Sequence, residues 1–181
     1  MIEQAELFGA ADALPDGMRY AQDFLTAEEE LALLLTIGQL PFTEAKYREY
    51  RARRRIMLYG PGVPDFLLPL RAKMAQWMGL PPQEFRQALI NEYRPGTPLG
   101  WHRDAPEYGA VGGVSLGAPC TMRLRPYPPR RGRNPDVISL TLEPRSAYTF
   151  RGPVRWSWQH SVSATRALRY SVTFRTAREI A

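Results

Sequence analysis

The chain has 181 residues, 44% hydrophobic and 23% charged, and its 24 Lys and Arg against 18 Asp and Glu give a net charge of +6. That length and composition suit one domain over 1–181 and exclude a fibrous or disordered chain; the single Cys120 excludes an internal disulfide, and no apolar run is long enough for a transmembrane helix. The basic balance points to a polyanion as partner, nucleic acid before an anionic membrane, and an acidic first segment without a basic-then-apolar order leaves the cytoplasm as the expected compartment and a monomer as the expected state.

Residues 1–23 read as loop, with Leu7, Phe8 and Leu14 as anchors. Thr26-Ala27-Glu28-Glu29 is a capping box, and Leu31, Leu34, Leu35 and Gln39 follow at helical spacing, which predicts a helix over 27–39. Residues 42–60 are polar, basic and aromatic and read as short strands with a loop. Residues 65–78 place Leu67, Leu70, Met74 and Trp77 on one helical face, with Gly79 as the stop. From Leu89 onward the pattern changes to short β-rich runs at 89–93, 113–116, 121–125, 137–142, 147–150, 160–162 and 168–176, parted by Pro/Gly segments. Helices first and strands after predict an α+β, mainly β fold, a sandwich or barrel with a helical flank. Residues 126–136 read as a hairpin tip rich in proline and arginine.

The two histidines of the chain fall in Trp101-His102-Arg103-Asp104 and Trp158-Gln159-His160-Ser161. His-x-Asp with a distant His is the donor set of the two-histidine, one-carboxylate iron site, which leaves coordination positions open. In an extended segment His102 and Asp104 point the same way. Histidines packed as core residues against tryptophan give the same spacing, so the pattern alone leaves both readings open. Residues 169–175 alternate strictly, with Arg169, Ser171, Thr173 and Arg175 on one face. Two buried arginines on one face need an anion, and with their Cα atoms roughly 20 Å apart they would grip a small dicarboxylate only by leaning together. Asn91 and Tyr93 share a strand face and can donate to the same ligand.

These residues in this order, with Asn91-Glu92-Tyr93-Arg94-Pro95-Gly96 before the first histidine and Gly113-Val114-Ser115-Leu116-Gly117 between the two, resemble the AlkB family of Fe(II)/2-oxoglutarate dioxygenases over about residues 88–176. The resemblance implies a double-stranded β-helix (jelly-roll) core over 88–178, preceded over 1–87 by helices and a nucleotide-recognition lid. It implies His102, Asp104 and His160 as iron ligands and catalytic residues, and Asn91, Tyr93, Arg169 and Arg175 as 2-oxoglutarate contacts, with Ser171 at a position where the family usually has Asn. It implies use of O2 and oxidative demethylation of N-alkylated nucleobases in DNA or RNA, as in repair of DNA damage, releasing succinate, CO2 and formaldehyde. Where nucleic-acid demethylases carry acids just after the metal aspartate, this chain has Ala105-Pro106 and only then Glu107.

The positive charge is local. Residues 46–55 hold six basic residues and one acid, and 123–133 hold five arginines and no acid, which leaves the rest of the chain at −4. Tyr47, Tyr50 and Tyr59 accompany the first patch. Arginines among aromatics suit a flipped or single-stranded base with its phosphates, so the expected substrate contacts are Trp101, Tyr47, Tyr59, Arg53, Arg54, Arg55 and Glu107. The same chemistry on a protein or small molecule, and a non-catalytic nucleic-acid-binding barrel with structural histidines, are the other readings these residues allow.

Overall fold

A computed structural model describes residues 14–46, 51–129 and 137–178; the side chains at 46 and 51–53, and with them that of Arg53, lie outside the description, as do Leu7, Phe8, Tyr47, Tyr50 and the predicted tip at 130–136. Helix α1 (Ala27–Ile37) starts on the capping box, the Glu29 N–H donating to Thr26 Oγ1 at 3.1 Å and the Thr26 N–H to Glu29 Oε2 at 2.8 Å. Gln39 and Leu40 then bond back three residues, so the helix closes in a tight turn short of the predicted Gln39. The second predicted helix divides in two. Asp65–Leu67 form a 3₁₀ turn, and α2 spans Leu68–Met78. Pro69 is the reason: with no N–H to give, it is tolerated only in the first helical turn. Gly79, left-handed at φ 67°, ends α2 as predicted.

Among the described residues eleven strands follow the chain as β1 (Met18–Ala21), β2 (Thr43–Lys46), β3 (Arg51–Tyr59), β4 (Phe85–Tyr93), β5 (Leu99–His102), β6 (Tyr108–Gly117), β7 (Cys120–Pro126), β8 (Ile138–Leu142), β9 (Ala147–Phe150), β10 (Trp158–Val162) and β11 (Arg169–Ala177), with a short helix α3 (Gly152–Ser157) before β10. They form an antiparallel sheet ordered β1-β9-β6-β11-β4-β3-β2 and a smaller antiparallel sheet ordered β5-β10-β7-β8. This is the mainly β, jelly-roll arrangement that the sequence predicts. The strands β1 and β5 and helix α3 go beyond that prediction. Each is four to six residues long, too short for a periodicity to register.

Alternation along β11 sorts the core. Tyr170, Val172 and Phe174 pack with Ala88 and Ile90 of β4 against Ile37 of α1 and Leu70, Met74 and Met78 of α2. Arg169, Ser171 and Thr173 face the opposite way, into the space between the sheets. One part of that space is filled by Val111, Met122, Leu124, Leu142, Phe150 and Val162. The other part is open and polar. Gly113 belongs to this layer: a Cβ there would meet the Tyr148 ring at 2.3 Å, so only glycine lets that tyrosine lie against β6. No helix among the described residues is long and apolar enough to cross a membrane.

Candidate active site

The open part of the inter-sheet space is a cavity of about 350 Å³ lined by β3, β4, β5, β10, β11 and the turn after β5. The pairing of β5 with β10 sets His102 opposite His160, their rings 4.1 Å apart. His102 is the last residue of β5, and Asp104 follows two residues on, just before the turn at 106–107. Both side chains enter the same cavity, as the spacing of the His-x-Asp segment leads one to expect. Asp104 Oδ2 lies 3.9 Å from His160 Nε2. The ring nitrogen Nδ1 of His102 contacts the Gly100 carbonyl at 2.9 Å. A carbonyl only accepts, so Nδ1 carries the proton and Nε2 keeps its lone pair.

Electrostatics keeps each group in its ligand form. Burial, then the neighbouring His102, pushes the His160 pKa down to about 3. Burial also lowers that of His102. Asp104 is buried too, which by itself would raise its pKa, but Arg175 and both histidines outweigh burial and hold it down to about 2. Two neutral imidazoles and an ionised carboxylate converge on one cavity. Among the described residues no three His, Cys, Asp or Glu side chains are already closed around an ion-sized centre, yet the donor chemistry fits a divalent iron and leaves positions free for other ligands.

The remaining predicted residues divide. Arg169 is buried at 1% exposure, with Nε on Ser115 Oγ at 3.0 Å, its guanidinium 4.9 Å from the Tyr93 ring, and Nη1 without a hydrogen-bond partner among the described residues. Asn91 is paired in register with Ser171, and its Nδ2 meets Ser171 Oγ at 3.2 Å while Oδ1 has no hydrogen-bond partner among the described residues. Turned over, the same amide keeps the serine contact and offers Nδ2 to a ligand. An unpaired guanidinium nitrogen and an unpaired amide in one cavity are what a carboxylate would satisfy. Arg54 and Trp101 line the same cavity.

Arg175 departs from the expected two-ended clamp. Its Nε and Nη2 both donate to Asp104 Oδ1, and Nη1 donates to Gln87. It therefore acts on the aspartate, and its fork is already engaged. Tyr59 and Arg55 also fall elsewhere. Alternation in β3 sends Arg54 to the cavity and Arg55, Met57 and Tyr59 to the helical side, where Tyr59 packs on Phe66 and Arg55 forms a two-pronged ion pair with Glu92 at 2.7 and 2.8 Å. Glu107 is exposed and does not line the cavity.

Two residues carry weight that the sequence reading does not assign. Tyr148 lines the cavity, and burial raises its pKa well above the usual phenol range. Arg155, in α3, is 4% exposed and donates to the carbonyls of Ala105, Tyr108 and Gly109 at 2.7 to 2.8 Å, which pins the turn that follows Asp104.

Comparison with known proteins agrees with this geometry. Residues 36–175 match the 2OG-Fe(II) oxygenase superfamily. A tRNA (carboxymethyluridine(34)-5-O)-methyltransferase alkbh8 of Xenopus tropicalis is 26% identical in a 170-residue alignment that covers 83% of this chain and only 26% of that protein. The solved structure of OsALKBH1 superposes with a TM-score of 0.72 at 19% identity over 91% of this chain and all of that one, and a Pseudomonas putida prolyl-4-hydroxylase with 0.63 at 16% over 91% and 94%. The AlkB likeness is thus met in the fold, a fold also shared with a prolyl hydroxylase. With the family match covering most of its length, the chain belongs to the 2OG-Fe(II) oxygenase superfamily and is an Fe(II)- and 2-oxoglutarate-dependent dioxygenase.

Proposed function

We propose that this dioxygenase is an AlkB-type enzyme that oxidatively removes N-methyl groups from nucleobases in DNA or RNA. In this reading His102, Asp104 and His160 hold Fe(II), and Arg169, Asn91, Tyr93 and Ser171 hold 2-oxoglutarate. The observation that carries the substrate assignment is Trp101. It precedes His102 and reaches the rim of the cavity, where its ring meets the guanidiniums of Arg123 and Arg125 at 5.3 and 4.3 Å on the outer face of the small sheet. An aromatic plane with two cations beside a buried oxidising centre suits a flipped base and its phosphates. Arg54, turned to the cavity from β3, supports a recognition role for the segment around residues 42–60.

Bound together, Fe(II), 2-oxoglutarate and O2 supply the oxidation that places a hydroxyl on the N-methyl carbon, from which formaldehyde leaves. The chain's own residues do the rest. Arg169 supplies a fixed positive charge for one carboxylate of the co-substrate. Arg175 keeps Asp104 ionised and leaves Oδ2 turned toward His160. Phe150, 4.9 Å from the His160 ring, and Tyr148 exclude water from that side.

The test is an aerobic assay of the iron-loaded protein on a panel of single- and double-stranded oligonucleotides, each with one N-methylated base, read by mass spectrometry. Loss of the methyl group from at least one strand, abolished in His102→Ala, is the expected result. An unchanged panel, with 2-oxoglutarate consumed regardless of nucleic acid, moves the same chemistry to a protein or small-molecule substrate.

A further inference from the structure

Behind the segment that carries Asp104 lies a second cleft, of about 480 Å³, which shares residues 103–105 with the first. Its walls are Tyr127, just past β7, and Trp156 in α3, exposed at 42% and 37%. The Tyr127 N–H donates to the Ser157 carbonyl at 2.8 Å, which ties the two walls together. Arginines lie on both rings. The Arg103 guanidinium is 4.0 Å from the Tyr127 ring and donates to the Trp156 carbonyl at 2.9 Å. Arg178 stands 4.9 Å from the Trp156 ring. Among the described residues neither Arg103 nor Arg178 is bonded to a carboxylate.

This is an unusual use of charge. Arg103 and Arg178 both push on the buried Arg155 across the cleft, against the pull of Asp104, and Asp104, the one acid among its lining residues, is itself bonded to Arg175. Like charges are kept together where an anion relieves them. An arginine laid on an aromatic ring has lost much of its freedom beforehand and still offers N–H groups at its edge, which lowers the cost of gripping a phosphate. Two exposed rings add stacking surface for a base. An acidic peptide would satisfy the cations and leave the rings unused.

We propose that this cleft holds the nucleotide flanking the target base of a single-stranded nucleic acid, its phosphate on Arg103 and Arg178 and its base against Tyr127 or Trp156. The proposal rests on the base-demethylase reading above and adds a place for the strand on the small-sheet side of the pocket mouth.

The experiment uses a fluorescein-labelled single strand carrying one N-methylated base, with binding followed by anisotropy at several salt concentrations. The variants are Arg178→Glu and Tyr127→Ala, neither of which lines the first cavity. Succinate formation without nucleic acid is measured alongside and reports the fold and the iron site. Both variants are expected to bind about tenfold more weakly or worse, and Arg178→Glu to lower the salt slope by about one, with basal succinate unchanged. Turnover of a methylated mononucleotide, too short to reach the cleft, stays as in the wild type. Wild-type affinity in both variants overturns the cleft and leaves the demethylase reading intact. A wild-type protein that binds no methylated strand overturns both. If basal succinate falls in one variant, the other decides.

Discussion

One oxygen of Asp104, Oδ1, receives both Nε and Nη2 of Arg175, at 2.9 and 2.7 Å, from 71 positions away in the chain, and the other oxygen is left facing His160. The arginine thus fixes which lone pairs of the carboxylate remain for a metal and keeps the group ionised despite its burial. Arg175→Ala leaves a buried carboxylate with its main partner removed. Iron affinity is expected to fall about 10- to 100-fold, and stability of the metal-free protein at neutral pH by about 3 kcal/mol or more. Anaerobic Fe(II) titration and urea unfolding check the two halves. Unchanged iron affinity with a raised KM for 2-oxoglutarate would return Arg175 to the clamp role.

Arg169 has the opposite signature. Its guanidinium is buried with no carboxylate bonded to it among the described residues; its neighbours are the Ser115 hydroxyl, the Tyr93 ring and the Cys120 thiol. Replacing a poorly compensated buried charge by an apolar chain of similar length is neutral or stabilising by about 1–4 kcal/mol. Arg169→Met is therefore expected to keep or raise the Tm of the metal-free protein while abolishing the further rise that 2-oxoglutarate gives the iron-loaded wild type. Thermal scans with and without 2-oxoglutarate read both effects. A retained co-substrate shift would remove Arg169 from the ligand set.

Arg55 separates fold from substrate. Its ion pair with Glu92 spans β3 and β4 on the helical side of the sheet. Arg55→Met is expected to cost about 1–3 kcal/mol and to leave kcat/KM on any strand unchanged, as measured by urea unfolding and steady-state kinetics. A change in kcat/KM without loss of stability would restore Arg55 as a substrate contact.

Acid should act on the metal-free protein through His160 and Asp104. The His160 pKa falls from 6.5 to about 3 and that of Asp104 from 3.8 to about 2 on folding. In both windows the unfolded chain binds more protons, so stability drops as pH falls, first below about 6.5 and again below about 3.8. Urea midpoints at pH 7, 6 and 5 are expected to decline for the wild type and to decline less in metal-free His160→Phe, where His102 alone of the pair still titrates. A flat wild-type profile would contradict the buried, neutral histidine.

Much of this was legible from the chain. The alternation in β11 is readable because one face meets helices and the other a polar cavity, so a period of two separates Tyr170, Val172 and Phe174 from Arg169, Ser171 and Thr173. What Arg175 touches was not, since an arginine accepts any anion and its partner comes from a segment far away in sequence. A run of arginines likewise hides its own pleat: Arg54 and Arg55 look alike as charge and face opposite ways. Arg155 reads as a surface cation in a Gly-Pro-initiated segment, and only the docking of α3 on the 105–109 turn buries it.

The central claim, that this iron centre serves base demethylation, is tested most directly by measuring succinate and formaldehyde together from the iron-loaded protein and a methylated oligonucleotide. Formaldehyde is expected to appear in step with succinate on the right strand, and both are expected to vanish in His160→Ala. Succinate formed at the same rate with and without every methylated strand, and no formaldehyde, would contradict it.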